Sequence, residues 1–162
     1  MNYTEILIHI RKIVRELNLE SKRIQKEFGI SIPQLLCLQF LSEKNDFKAT
    51  HKDVADYLNL NSSTVTGIVS RLEKKSLVAR LPKSGDKRVT YVSLTSNGFK
   101  LLEKSPDLMH QQLAKKLPDL PEKTLAEMDN SLKVLIRCLD IDKTDASPLF
   151  TIEEPIESNK SI

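Results

Sequence analysis

The chain has 162 residues, a formal charge of +3, 40% apolar and 29% charged residues, and four glycines. That composition describes a folded, helix-leaning chain of one domain with an appendage, and it excludes disordered and collagen-like classes. No run approaches the roughly 20 apolar residues of a membrane span, and Met1-Asn2-Tyr3-Thr4-Glu5 lacks the basic-then-apolar order of a secretory signal, so a cytoplasmic protein is expected.

Residues 4–28 place Ile6, Ile10, Ile13, Val14, Leu17, Ile24 and Phe28 at steps of three and four, the period of one helix face, and Gly29 ends the pattern. Ser31-Ile32-Pro33-Gln34 reads as a capping box, with the proline in the first turn, where its missing N–H costs nothing. The following run, Leu35 to Leu41, is apolar on more than one side and predicts a helix in the middle of the core. Thr50 caps a short helix ending near Leu58, with Asp53 favoured by the helix dipole. Asn59-Leu60 is a brief turn, and Asn61 caps a second helix, from Ser62 to about Lys75, with Val65, Ile68, Val69 and Leu72 inward. Residues 77–81 and 89–94 are β-rich and flank a charged loop full of turn formers, which predicts a hairpin. Thr95 caps a further helix, which Ser105-Pro106 should kink or break before it continues to Pro118. A last helix from Pro121 repeats Leu125, Met128, Leu132, Leu135 and Leu139 at three or four. Residues 143–162 have no helical period and read as a flexible acidic tail.

Two short helices joined by a tight turn form a helix-turn-helix. Its second helix turns Ser62, Ser63, Thr64, Thr66, Gly67 and Ser70 outward, a small, hydroxyl-rich face where lysine and glutamate are usual. Such a face lets a helix backbone sink close to bases and phosphates, and serine and threonine bond either. Charge follows the same segment. Residues 48–95 carry nine basic and four acidic groups, while residues 140–162 carry two and six. A basic island of this kind attracts a polyanion. In the hairpin, Asp86 pairs with Arg88 or with Arg80 on the opposite strand and aims a guanidinium, and an arginine in a narrow minor groove senses its negative potential. Lys83 and Lys87 add phosphate contacts and salt dependence. Double-stranded DNA is the implied partner.

Three stretches carry a family resemblance: Asn61-Ser62-Ser63-Thr64-Val65-Thr66, then Arg71-Leu72-Glu73-Lys74-Lys75-Ser76-Leu77-Val78, then Asp86-Lys87-Arg88 followed by Val92-Ser93-Leu94-Thr95 and Gly98. In order and spacing, from about residue 6 to 139, the chain resembles the MarR family of winged-helix regulators. The resemblance implies a mainly α fold with a small β-wing: a winged helix-turn-helix over 31–95 and a helical dimerisation region from 1–30 and 96–142. It implies a homodimer and DNA contacts from Ser62, Ser63, Thr64, Thr66 and Arg88. A transcriptional regulator is expected, a repressor rather than an activator although no residue decides between the two, with no cofactor. Dimerisation also follows from the apolar stripes of the terminal helices, and two recognition helices then ask for a pseudo-palindromic operator with half-sites about 10 bp apart. An effector pocket between the dimer helices and the DNA-binding region is implied as well, with His9, Arg15 and Cys37 weighed for it, each having a plain structural alternative. Relief by a small-molecule effector or by thiol oxidation is left open. Two departures stand out. Ser62 and Gly67 occupy positions where many relatives are basic, and Ser76 replaces a helix-ending glycine.

Other classes fare worse. His9, His51 and His110 lie in separate helices, and no metalloprotease, nucleophile-elbow, dinucleotide or phosphate-loop motif occurs, so an enzyme is not expected. A protein-binding winged helix would expose an apolar patch where this chain exposes hydroxyls. Cys37 and Cys138, about 100 positions apart, read as two buried small hydrophobes; a redox sensor would need a low thiol pKa and solvent access.

Overall fold

The elements are α1 (Tyr3–Phe28), α2 (Ile32–Ser42), β1 (Lys48–Thr50), α3 (His51–Leu58), α4 (Ser62–Lys74), β2 (Val78–Arg80), β3 (Tyr91–Leu94), α5 (Ser96–Lys104), α6 (Met109–Lys116), a 3-10 turn (Leu117–Asp119) and α7 (Glu122–Cys138). They come from a computed structural model that describes residues 2–81, 85 and 88–143. The chain divides into two compact units, residues 2–20 with 105–143 and residues 21–104. α1 contributes to both.

The unit of residues 21–104 is built around α2, as its two-sided apolar pattern predicts. Ile32, Leu35, Leu36, Cys37, Leu38, Phe40 and Leu41 are all buried. The expected capping box starts it: the Gln34 N–H donates to Ser31 Oγ at 3.3 Å, and the Ser31 N–H donates to Gln34 Oε1 at 3.0 Å. Val54 and Leu58 from α3, Val65, Ile68, Val69 and Leu72 from α4, and Val78 and Val92 from the sheet are buried with them. Each such side chain stabilises the fold by about 1.5–3 kcal/mol when fully withdrawn from water.

The sheet has order β1-β3-β2, antiparallel throughout. The β2–β3 pair, with Val78 opposite Leu94 and Arg80 opposite Val92, is the hairpin expected from sequence. β1 is not expected. Lys48-Ala49-Thr50 is too short to show alternation, and it becomes a strand only because β3 offers an edge, with Ala49 opposite Val92. Two glycine-like demands are met differently. Gly29 ends α1 at φ +67°, whereas Ser76 takes φ +59° just after α4.

In the unit of residues 2–20 and 105–143, Pro106 breaks the helix outright between α5 and α6. The buried Glu20 carboxylate accepts from the Met109 N–H at 2.6 Å, satisfying a donor at the start of α6. α6 stops at Lys116, earlier than its apolar pattern suggests, because Pro118 tightens the chain into the 3-10 turn. α7 has no buried residue. Leu132, Val134, Ile136 and Leu139 are exposed, as are Ile6, Ile13 and Val14 of α1. One expectation is corrected: Cys138 is exposed, because it ends a helix that has no fully buried residue, while Cys37 is buried as expected. No described helix is long and apolar enough to cross a membrane.

Candidate nucleic-acid interface

The turn between α3 and α4 is set by three hydrogen bonds, two of them to the Asn61 side chain. Asn59 adopts the left-handed conformation (φ 49°, ψ 43°), and the Leu60 N–H then reaches back to the Ala55 carbonyl at 3.1 Å. This closes the end of α3 without a glycine, which asparagine tolerates better than other side chains. Asn61 Oδ1 accepts from the Thr64 N–H at 2.9 Å and from Ser63 Oγ at 2.7 Å. The cap therefore fixes both the start of α4 and the Ser63 hydroxyl. On the other side of the turn, Thr50 and Asp53 form a reciprocal box at 3.0 and 3.2 Å, a fuller cap than the dipole argument alone requires.

The outer face of α4 carries the predicted hydroxyls. Ser62, Ser63 and Thr66 are exposed; Thr64, Gly67 and Ser70 are half-buried. They are not equivalent. Thr66 Oγ1 donates to the Ser62 carbonyl at 2.9 Å and lies 3.1 Å from His51 Nε2 at the start of α3. Ser70 Oγ accepts from Arg80 Nη2 at 2.8 Å, and Arg80 Nε lies 3.5 Å from Glu73 Oε2. Arg80 thus bridges from β2 to two side chains of α4. As an exposed ion pair it adds little stability, but it fixes the angle at which the hairpin leaves the helix. Its expected pairing with Asp86 falls outside the described residues, as do Lys83 and Lys87.

Arg88 is described and exposed. With Ser62 and Thr66 of α4 and Thr50, His51, Lys52, Ala55 and Asp56 around the start of α3, it lines one open concavity of about 770 Å³. Arg88 and the α4 hydroxyls of Ser62 and Thr66, 22 or more positions apart in sequence, are brought to one surface. His51 is the residue sequence reasoning missed here. Burial and the nearby Arg80 guanidinium hold its imidazole below the ordinary histidine range. The signal for it was its place at the first position of α3, which becomes informative only once α4 is seen to pack beside it. A second group, Arg71, Lys74 and Lys75, entered the sequence reading only through the family resemblance and the basic balance, not as a site. They line a smaller concavity of about 430 Å³ with Gln25, Gly29 and Gln34.

The MarR family profile matches residues 30–90, the stretch from the end of α1 to the edge of β3. Over those residues the chain is similar to the MarR family. Relatives across more of its length agree. It is 33% identical over 94 residues to the organic hydroperoxide resistance transcriptional regulator of Bacillus subtilis, covering 58% of this chain and 63% of that protein. It is 26% identical over 141 residues to the HTH-type transcriptional regulator YfiV of the same organism, covering 87% of each. Among solved structures, the Staphylococcus aureus MepR–DNA complex superposes with a TM-score of 0.61 at 23% identity, over 85% of this chain and 98% of that one. Streptomyces coelicolor Sco3205, a MarR-family regulator in complex with DNA, gives 0.60 at 20% identity, over 90% and 93%. At these identities the structural likeness is one of fold, a winged helix-turn-helix with long flanking helices. The MarR family is one of transcriptional regulators, not enzymes.

Proposed function

We propose that this chain is a sequence-specific, double-stranded DNA-binding repressor of transcription that acts as a homodimer on a pseudo-palindromic operator in the cytoplasm. Residues 31–95 are the DNA-binding region in this reading, and residues 1–30 with 96–142 the dimerisation region. Ser62, Ser63, Thr64 and Thr66 meet base edges and phosphates in the major groove, and Arg88 enters the adjacent minor groove. Lys83 and Lys87 keep their proposed phosphate contacts. Ser70 acts at one remove, since its hydroxyl already receives Arg80. The observation that carries the reading is the shared concavity in which Arg88 lies beside Ser62, Thr66 and Lys52. Dimerisation is supported by the uncovered apolar side chains of α1 and α7, each worth about 1.5–3 kcal/mol once buried.

Relief of repression by a small-molecule effector or by thiol oxidation belongs to the same reading, with Cys37 the less reactive of the two thiols. Burial pushes the Cys37 thiol up to about 12, so its thiolate is scarce at neutral pH and oxidation there is slow.

The test is selection of bound fragments from sheared genomic DNA, followed by a salt titration on the enriched site with the parent and with Arg88→Ala. The variant is expected to bind about tenfold more weakly, and the slope of log affinity against log salt to shrink by about one. Equal affinity and slope would remove Arg88 from the interface.

A further inference from the structure

Thr66 has one hydroxyl proton and two neighbours within hydrogen-bonding reach. The Ser62 carbonyl, at 2.9 Å, can only accept. His51 Nε2, at 3.1 Å, can accept or donate according to tautomer. Both contacts are hydrogen bonds only when the Thr66 proton goes to Ser62 and His51 carries its proton on Nε2. Thr66 Oγ1 then has a single unused lone pair and no proton to offer. It faces outward as an acceptor.

The major groove distinguishes such an atom. Adenine N6 and cytosine N4 present donors there; guanine O6 and N7 and thymine O4 present acceptors. An acceptor-only Thr66 bonds the first pair and meets the second lone pair to lone pair.

We propose that His51 is a positioning residue for base selection: by donating from Nε2 to the Thr66 hydroxyl it holds Thr66 as an acceptor, so that Thr66 selects an amino-bearing base, adenine or cytosine, at one position of each half-site. The inference rests on the DNA-binding reading above. The surroundings of the imidazole fit a donor rather than a phosphate-binding cation. Arg80 approaches from β2, Lys52, Asp53 and Asp56 belong to its own helix, Glu73 pairs with Arg80 from α4, and Arg88 shares the concavity. Desolvation and the Arg80 charge both favour the neutral ring. The thiol and carboxylate chemistry of other sites plays no part.

The experiment is selection from a random-sequence duplex DNA library by the full chain and by His51→Ala, His51→Gln, Thr66→Val and the double variant His51→Ala/Thr66→Val, with a thermal melt of each. The parent is expected to prefer adenine or cytosine about fivefold at one position of each half-site, the scale of one hydrogen bond. His51→Ala and Thr66→Val should each bring that position near parity while leaving the others unchanged. His51→Gln, whose amide also donates, should restore the preference. The double variant should lose no more than either single one. A His51→Ala variant that melts like the parent and keeps the parent's preference would overturn the proposal, as would additive losses in the double variant. Failure of the parent to enrich any duplex would instead overturn the DNA-binding reading beneath it.

Discussion

Ser76 shows how a single backbone angle is imposed by its neighbours. Its φ of +59° is a region that a side chain with Cβ enters at a cost of about 1–2 kcal/mol. It is held there because the Leu77 N–H bonds the Leu72 carbonyl at 3.0 Å, closing α4, while the Ser76 carbonyl accepts from Thr95 Oγ1 at 2.7 Å. Neither bond uses the serine side chain. Ser76→Gly should therefore keep both and relieve the strain, raising stability by about 0.5–1 kcal/mol after glycine's greater unfolded-state entropy is deducted; a urea midpoint that falls would show that the serine hydroxyl matters after all. Phe47 is strained in the same sense, at φ 52°, and is held by its edge-on contact with Phe99 at 4.7 Å and by the Leu94 N–H on its carbonyl at 2.9 Å. At Cys37 the surroundings act on charge instead, and desolvation keeps the thiol protonated.

Between elements, the decisive contact is the approach of α5 to the turn that enters β2. Gly98 has no room for a side chain: a Cβ there would collide with the Leu77 carbonyl oxygen and come within 2.5 Å of Leu94 Cδ1. The Thr95 hydroxyl binds the same corner, accepting from the Gly98 N–H at 3.1 Å. Because one obstacle is backbone, relaxation is costly, and Gly98→Ala should destabilise the protein by about 1–3 kcal/mol. Denaturant melts that superpose on the parent would mean that α5 is free to shift. The same corner matters for binding, since β2 carries Arg80, and Arg80 ties the wing to Ser70 and Glu73 of α4. A displaced α5 moves the wing as well as lowering stability. Serine at position 70 is thus read better as part of the wing's attachment than as a base contact.

For the molecule as a whole, two exposed surfaces among the described residues bear on binding and assembly. One is the polar face of α4. The other is apolar: Leu132, Val134, Ile136 and Leu139 on α7, and Ile6, Leu7, Ile13 and Val14 on α1, are all 40% or more exposed. So many large apolar side chains left exposed on two helices are unusual for a monomer in water. The proposed homodimer covers it, and Leu132→Asp, which places a charge in that stripe, should halve the mass measured by light scattering at micromolar concentration. A variant that stays at the parent's mass would move the interface elsewhere. Weakened operator binding should accompany the monomer, because two half-sites are then no longer held by one particle.

The sequence alone determined what depends on near neighbours. The caps at Ser31, Thr50, Asn61 and Thr95, the break at Pro106, the apolar periods of α2 and α4 and the outward hydroxyls of α4 are all set within one or two turns of chain, so they can be read without a fold. The resemblance carried by Asp86-Lys87-Arg88 and the stretches around it supplied the family, and the profile over residues 30–90 agrees. Tertiary structure decided what depends on distant partners. It made β1 a strand by giving it β3, left Cys138 exposed at the end of α7, turned Arg80 towards Ser70, and set His51 against Thr66, 15 positions away. Hydrogen bonds and close packing act over a few ångströms of space, whatever the separation along the chain, and only the fold converts one distance into the other.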